Sequence, residues 1–141
     1  MNHRLLLEIA LHEAGHAVIA RVVGLKSGEA VITDRDGYAH WKADNSIRHV
    51  ITLLAGRAAS DVILGRTTES GYAGDNEKIM RLLEADGFRE RFFAFDVSRD
   101  ALLAHARALI RKHRDAVERV ARALLERETL TARKIDKLMT A

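Results

Sequence analysis

Apolar residues recur at helical spacing along most of the chain, and alternate as in a strand over one short stretch. No proline interrupts residues 4–24, and Leu5, Ile9, His12, His16 and Val23 fall within one narrow sector of a helix. Gly24 and Lys26-Ser27-Gly28 supply the stop. Residues 30–33 and 38–41 are strand-like runs flanking Asp34-Arg35-Asp36-Gly37, which predicts a hairpin. Asp44-Asn45-Ser46 then offers a cap for a second helix, marked by Ile47, Val50, Ile51, Leu54, Ala58 and Val62 and ending at Gly65. Within it, Ala55-Gly56-Arg57-Ala58-Ala59 is rich in small residues that let another backbone approach, which reads as helix packing.

Residues 66–74 form a polar, glycine-bearing stretch, and Asp75 reads as the N-cap of a helix carrying Ile79, Leu82 and Leu83. Residues 87–95 hold all four phenylalanines, Phe88, Phe92, Phe93 and Phe95, which predicts aromatic packing between helices. From Ser98 a single long amphipathic helix is expected, carrying Leu102, Leu103, Ala106, Leu109, Ile110, Val117, Val120, Leu124 and Leu125. Thr129-Leu130-Thr131 breaks it, and Thr131 caps a last helix reaching Met139. There is no internal repeat, low-complexity tract or linker. The pattern predicts a mainly α fold with a small β-hairpin or sheet (α+β class), as one domain over residues 1–141.

Composition narrows this further. The 141 residues suffice for one proper core, and a 48% hydrophobic content is that of a globular chain. There is no cysteine, so disulfides and thiolate zinc sites are excluded and only His, Asp and Glu remain as metal ligands. Lys+Arg (23) barely exceeds Asp+Glu (20), a net charge of +3 that does not by itself imply nucleic acid. The arginines of residues 107–133 interleave with Asp115, Glu118, Glu126 and Glu128, so that face reads as solvated and ion-paired. Glu8 interrupts the first apolar run too early for a signal peptide, and no run approaches the roughly 20 residues that span a bilayer. A soluble, cytoplasmic protein without a membrane segment is expected.

The candidate chemistry lies in His12-Glu13-Ala14-Gly15-His16. Histidines four apart lie on one helix face, so both imidazoles can reach one metal ion. Both also point with the apolar stripe, where an imidazolium is costly and a neutral ligand is natural. Glu13 sits about 100° round the helix, where a carboxylate can take a proton from an attacking water. Zinc suits this set because it accepts imidazole nitrogen and acidifies water.

Four stretches together resemble the peptidase domain of FtsH-type ATP-dependent zinc metalloproteases. His12-Glu13-Ala14-Gly15-His16-Ala17 is similar to that family's zinc helix, and Leu54-Ala55-Gly56-Arg57-Ala58-Ala59 with Gly65 to its glycine-arginine-alanine helix. Gly71-Tyr72-Ala73-Gly74-Asp75-Asn76-Glu77-Lys78 resembles its aspartate segment, and residues 113–138 its C-terminal helices. The resemblance implies a zincin-like helical domain with the H-E-x-x-H helix central. It also implies Asp75 as third zinc ligand beside His12 and His16, and Glu13 as catalytic general base. A peptide or unfolded protein is the implied substrate; the family assembles as rings through its peptidase and ATPase modules together, which makes a homo-oligomer possible for these residues and leaves their oligomeric state open.

The chain departs from the family in three places. An ATPase module and transmembrane segments do not accompany these residues, so ATP-independent hydrolysis is expected. Ser60 and Asp61 stand where the family carries paired glutamates, which leaves Asp61 a second candidate ligand. The segment between the first two helices is short, although Gly37-Tyr38-Ala39-His40-Trp41 keeps a strand on which an extended peptide can pair. The reading is a zinc endopeptidase; its rival is a zinc-stabilised module that has lost turnover and binds a partner protein. Retention of Glu13 favours the enzyme, because a purely structural site has no use for a base.

Overall fold

The structure is a computed structural model describing residues 3–66, 72–85, 87–92 and 96–141. Helix α1 (His3–Val22) is its axis: every residue from Ile9 to Ala20 is buried. The expected apolar stripe therefore widens to the whole circumference, because other elements cover α1 on all sides. Helices α2 (Ile47–Ala59) and α6 (Arg114–Arg127) pack against it, as does an antiparallel sheet of β1 (Ser27–Ile32), β2 (Gly37–Trp41) and β3 (Thr129–Leu130). Small residues make the closest approach. A β-carbon on Gly15 would lie 2.6 Å from the Ala55 carbonyl oxygen and 2.9 Å from the Ala59 β-carbon. The expected packing role of the Ala55–Ala59 stretch is thus met on its α1 side.

The hairpin forms where alternation predicts it, with Ile32 opposite Gly37 and Ala30 opposite Ala39. The sheet order is β2-β1-β3, so β2 lies at an edge. Strand β3 comes from the segment read as a simple helix break; Leu130 pairs with Ala30 and Thr129 with Val31. Glu128, at φ 64°, turns the chain out of α6 into that strand.

Ser46 caps α2 by accepting from the His49 backbone N–H. After Ala59 the helix widens into a π-turn, Ser60–Leu64, and ends at Gly65, whose φ of 71° suits a residue without a β-carbon. Helix α3 (Tyr72–Glu84) starts three residues before Asp75, which lies in its first turn rather than at its cap. A single turn, α4 (Phe88–Arg91), sets Phe88 edge-on to Phe92 with ring centroids 5.0 Å apart; Phe93 and Phe95 lie outside the described residues.

The long C-terminal helix is in fact two, α5 (Arg99–Lys112) and α6, broken at His113 (φ −109°, ψ 22°). The break lets α5 cover α2 while α6 covers α1. Helix α7 (Ala132–Met139), capped by Thr131, is tied back by Arg21, which pairs with Asp136 at 2.7 Å and donates to the Gly28 carbonyl at 2.9 Å. Among the described residues no helix is long and apolar enough to cross a membrane.

Candidate metal centre

His12 and His16 leave α1 one turn apart, and both are buried along with Glu13. Their rings meet edge-on with centroids 4.6 Å apart, and the two Nε2 atoms are 3.0 Å apart. Asp75 reaches them from the first turn of α3, its Oδ2 lying 2.8 Å from each Nε2. Three ligand-type atoms therefore converge on one point. They come from two elements 59 and 63 residues apart in sequence. Among the described residues, His12, Glu13 and His16 are also the group whose ligand atoms lie close enough together to hold a metal ion.

The backbone of α2 fixes the ring of His16. Its Nδ1–H donates to the Thr52 carbonyl at 2.8 Å, so the neutral imidazole presents a lone pair at Nε2. That lone pair faces the Asp75 carboxylate and the His12 nitrogen, an arrangement that repels unless a cation sits among the three atoms. A proton or a metal ion satisfies it. Burial alone would push the His16 imidazole down, but the Asp75 carboxylate beside it prevails and lifts it to about 9. Burial pushes Asp75 up, yet the charge of His16 and the hydrogen bonds from His12 and His16 hold it well below the usual carboxylate range.

These atoms fit zinc. Zn–N bonds of about 2.0–2.1 Å place tetrahedral ligands roughly 3.3 Å apart, a few tenths wider than the spacing here. The space is kept by Gly56 of α2: a β-carbon there would lie 2.6 Å from His16 Nε2 and 2.7 Å from His12 Nε2. A glycine in mid-helix costs about 1 kcal/mol relative to alanine, so its presence marks a close approach rather than indifference. Composition flagged the small-residue stretch but not this role.

Glu13 lies beside the cluster. Burial pushes its carboxyl above the ordinary range, and the imidazoles of His16 and His12 bring it part of the way back. Strand β2 runs past it: a β-carbon on Gly37 would lie 3.0 Å from Glu13 Cγ. At the other end of β2 the Trp41 ring packs on His16 with centroids 5.2 Å apart, and its Nε1–H donates to His49 Nδ1 at 2.9 Å. Neither Trp41 nor His49 carries a ligand-spacing signal; Trp41 is legible only as part of the Gly37–Trp41 strand, and His49 not at all. Asp61 stands with arginines instead: Arg107 donates to its Oδ2 at 3.0 and 2.7 Å, and Arg57 Nε is 3.6 Å from the same atom.

No family model matches the chain. It is 31% identical to the ATP-dependent zinc metalloprotease FtsH 1 of Symbiobacterium thermophilum over 92% of its own length and 28% of that protein's. It is 26% identical to the ATP-dependent zinc metalloprotease FtsH of Thermus thermophilus over the same shares of the two chains. With FtsH 2 of Sphaerobacter thermophilus the identity is 27%, over 94% of this chain and 26% of the relative. The chain thus spans little more than a quarter of the length of the curated relatives it matches.

Proposed function

From the homology of this chain to one region of the FtsH-type zinc metalloproteases, we propose that it is a zinc-dependent endopeptidase acting on peptides and unfolded protein segments. One observation carries the reading: His12 Nε2, His16 Nε2 and Asp75 Oδ2 lie within 3.0 Å of one another, with the buried carboxyl of Glu13 beside them. In this reading His12, His16 and Asp75 hold the metal. Bound zinc would polarise the scissile carbonyl and acidify the attacking water.

Glu13 is then the general base. Its carboxylate takes a proton from the attacking water and returns it to the leaving amine nitrogen. A carboxyl raised by burial is suited to both transfers, because its pKa lies nearer the working pH than that of a solvated glutamate. Strand β2 supplies the platform. It pairs with β1 on one side and carries no strand on the other among the described residues. An extended peptide added there runs past Gly37, next to Glu13, and past Trp41, next to His16.

The test is cleavage of a peptide pool by zinc-loaded wild type and by Glu13→Gln, with zinc quantified in both. Wild type should cleave, and the variant should keep its zinc and lose cleavage. Equal rates in the two would assign the activity to a contaminant, and absence of cleavage by zinc-loaded wild type would favour the partner-binding module.

A further inference from the structure

Between β2 and helices α2 and α3 lies a cavity of about 270 Å³, lined chiefly by Ala39, Trp41, His49, Leu53 and Lys78. It is separated from the metal cluster by a single aromatic ring, since the Trp41 indole that lines it also packs on His16 at 5.2 Å. We propose that this cavity receives the substrate side chain next to the scissile bond, and that Lys78 makes it accept apolar and acidic side chains while refusing lysine and arginine. The inference rests on the endopeptidase reading and adds a substrate preference to it.

Ala39, Ala43, Leu53 and the Trp41 ring give the wall its apolar part. The Trp41 Nε1–H is committed to His49 Nδ1 at 2.9 Å, so the indole offers its carbon face to the cavity, while the neutral His49 ring carries its proton at Nε2. Burial lowers the His49 pKa, and although Asp44 pulls it up, the charge of Lys78 lowers it further. The imidazole therefore adds no cation to the wall. Asp44 is itself engaged by Arg48 at 3.3 Å and by Ser46; among the described residues lining the cavity, which also include His40, Lys78 supplies the ammonium that a substrate side chain meets. Lys78 lies three residues beyond Asp75 on α3, hence on the same face, and its side chain is exposed at the rim. A strand added to the edge of β2 points alternate side chains to one side, so the residue that seats here is fixed by register with the bond held at His16. The cavity has room for one side chain of leucine to phenylalanine size.

Three blocked peptides, identical but for Leu, Glu or Lys at the residue flanking the cut, test this with two readouts. The first is kcat/KM for wild type and Lys78→Glu, with cut positions read from product masses. The second is binding of the same peptides to zinc-loaded Glu13→Gln, with and without Lys78→Glu. Wild type should favour the Leu and Glu peptides over the Lys peptide by about tenfold, through like-charge repulsion at the rim. Lys78→Glu should reverse the Glu-to-Lys order in both readouts. An unchanged Glu-to-Lys ratio in Lys78→Glu would overturn the pocket assignment. If wild type cleaves none of the peptides while binding keeps a Lys78-dependent ranking, the pocket stands and the endopeptidase reading falls. Neither cleavage nor residue-dependent binding would sink both.

Discussion

A β-carbon on Gly56 would lie 2.6 Å from His16 Nε2, so the missing side chain of one helix is the space in which two imidazoles of another converge. The same two helices also approach closely where Gly15 faces Ala55 and Ala59, whereas on an exposed helix an added methyl group would bring a gain in propensity. Here propensity and the site pull in opposite directions.

Gly56→Ala separates them. In the metal-free protein the substitution gains up to about 1 kcal/mol of helix propensity, offset by the displaced imidazoles. Zinc affinity should fall at least tenfold, because the new methyl group occupies the position facing both Nε2 atoms. Chelator competition and thermal unfolding, run with and without zinc, give both quantities. An unchanged zinc affinity would show that the metal does not sit at this junction.

Zinc affinity should also depend on pH in a set direction. Without metal the His16 pKa stands at about 9, above its ordinary 6.5, so its stabilising pairing with Asp75 is complete below pH 6.5 and lost as pH rises through about 9. Asp75 is shifted the other way, so its contribution is present above its ordinary 3.8 and lost as pH falls through its depressed value. Zinc must displace the His16 proton to bind. Its affinity should rise about tenfold per pH unit toward pH 9 and then level, with about one proton released per ion at neutral pH. Calorimetry in buffers of different ionisation enthalpy counts that proton, and no release at pH 7.5 would contradict the protonated pair.

Asp75 and Asp61 should respond differently to the same truncation. Asp75→Ala removes an oxygen 2.8 Å from both Nε2 atoms and should weaken zinc binding by tenfold or more. Asp61→Ala removes the carboxylate shared by Arg107 and Arg57 and should cost on the order of 1 kcal/mol of stability with zinc affinity retained. The reverse ranking in chelator competition would transfer the ligand role to Asp61.

What the sequence made legible follows what each signal measures. Local chemistry was readable: Ser46, Ser98 and Thr131 each accept from a backbone N–H three residues on, as cap residues do. The hairpin and the H-E-x-x-H helix were readable for the same reason. The break at His113 was not, because Ile110 and Val117 are seven residues apart and stay in phase across it, so apolar spacing is blind to the kink. Strand β3 has two residues, too few for any alternation, and is held by its partner β1 rather than by its own pattern. The Trp41–His49 pair and the role of Gly56 depend on which elements meet in space. In the sequence they are an aromatic in a short strand, a histidine inside a helix and a glycine among alanines.

Substrate scope follows from where hydrolytic power would reside. If Glu13 and a zinc held by His12, His16 and Asp75 supply the activated water, bond cleavage needs no nucleotide. The sequence contains no G-x-x-x-x-G-K-[ST] phosphate loop, so ATP has no recognisable place to act within these residues. Cleavage should therefore proceed equally with and without ATP. The edge of β2 accepts only backbone that is already extended, because strand addition requires free N–H and C=O groups along the peptide. A stable folded domain presents few such segments, so casein and short peptides should be cut while a tightly folded protein survives, and unfolding that same protein should make it a substrate. Rates measured on one target in native and unfolded form, each with and without ATP, decide the matter. Stimulation by ATP, or equal cutting of the native and unfolded forms, would contradict this account of the site.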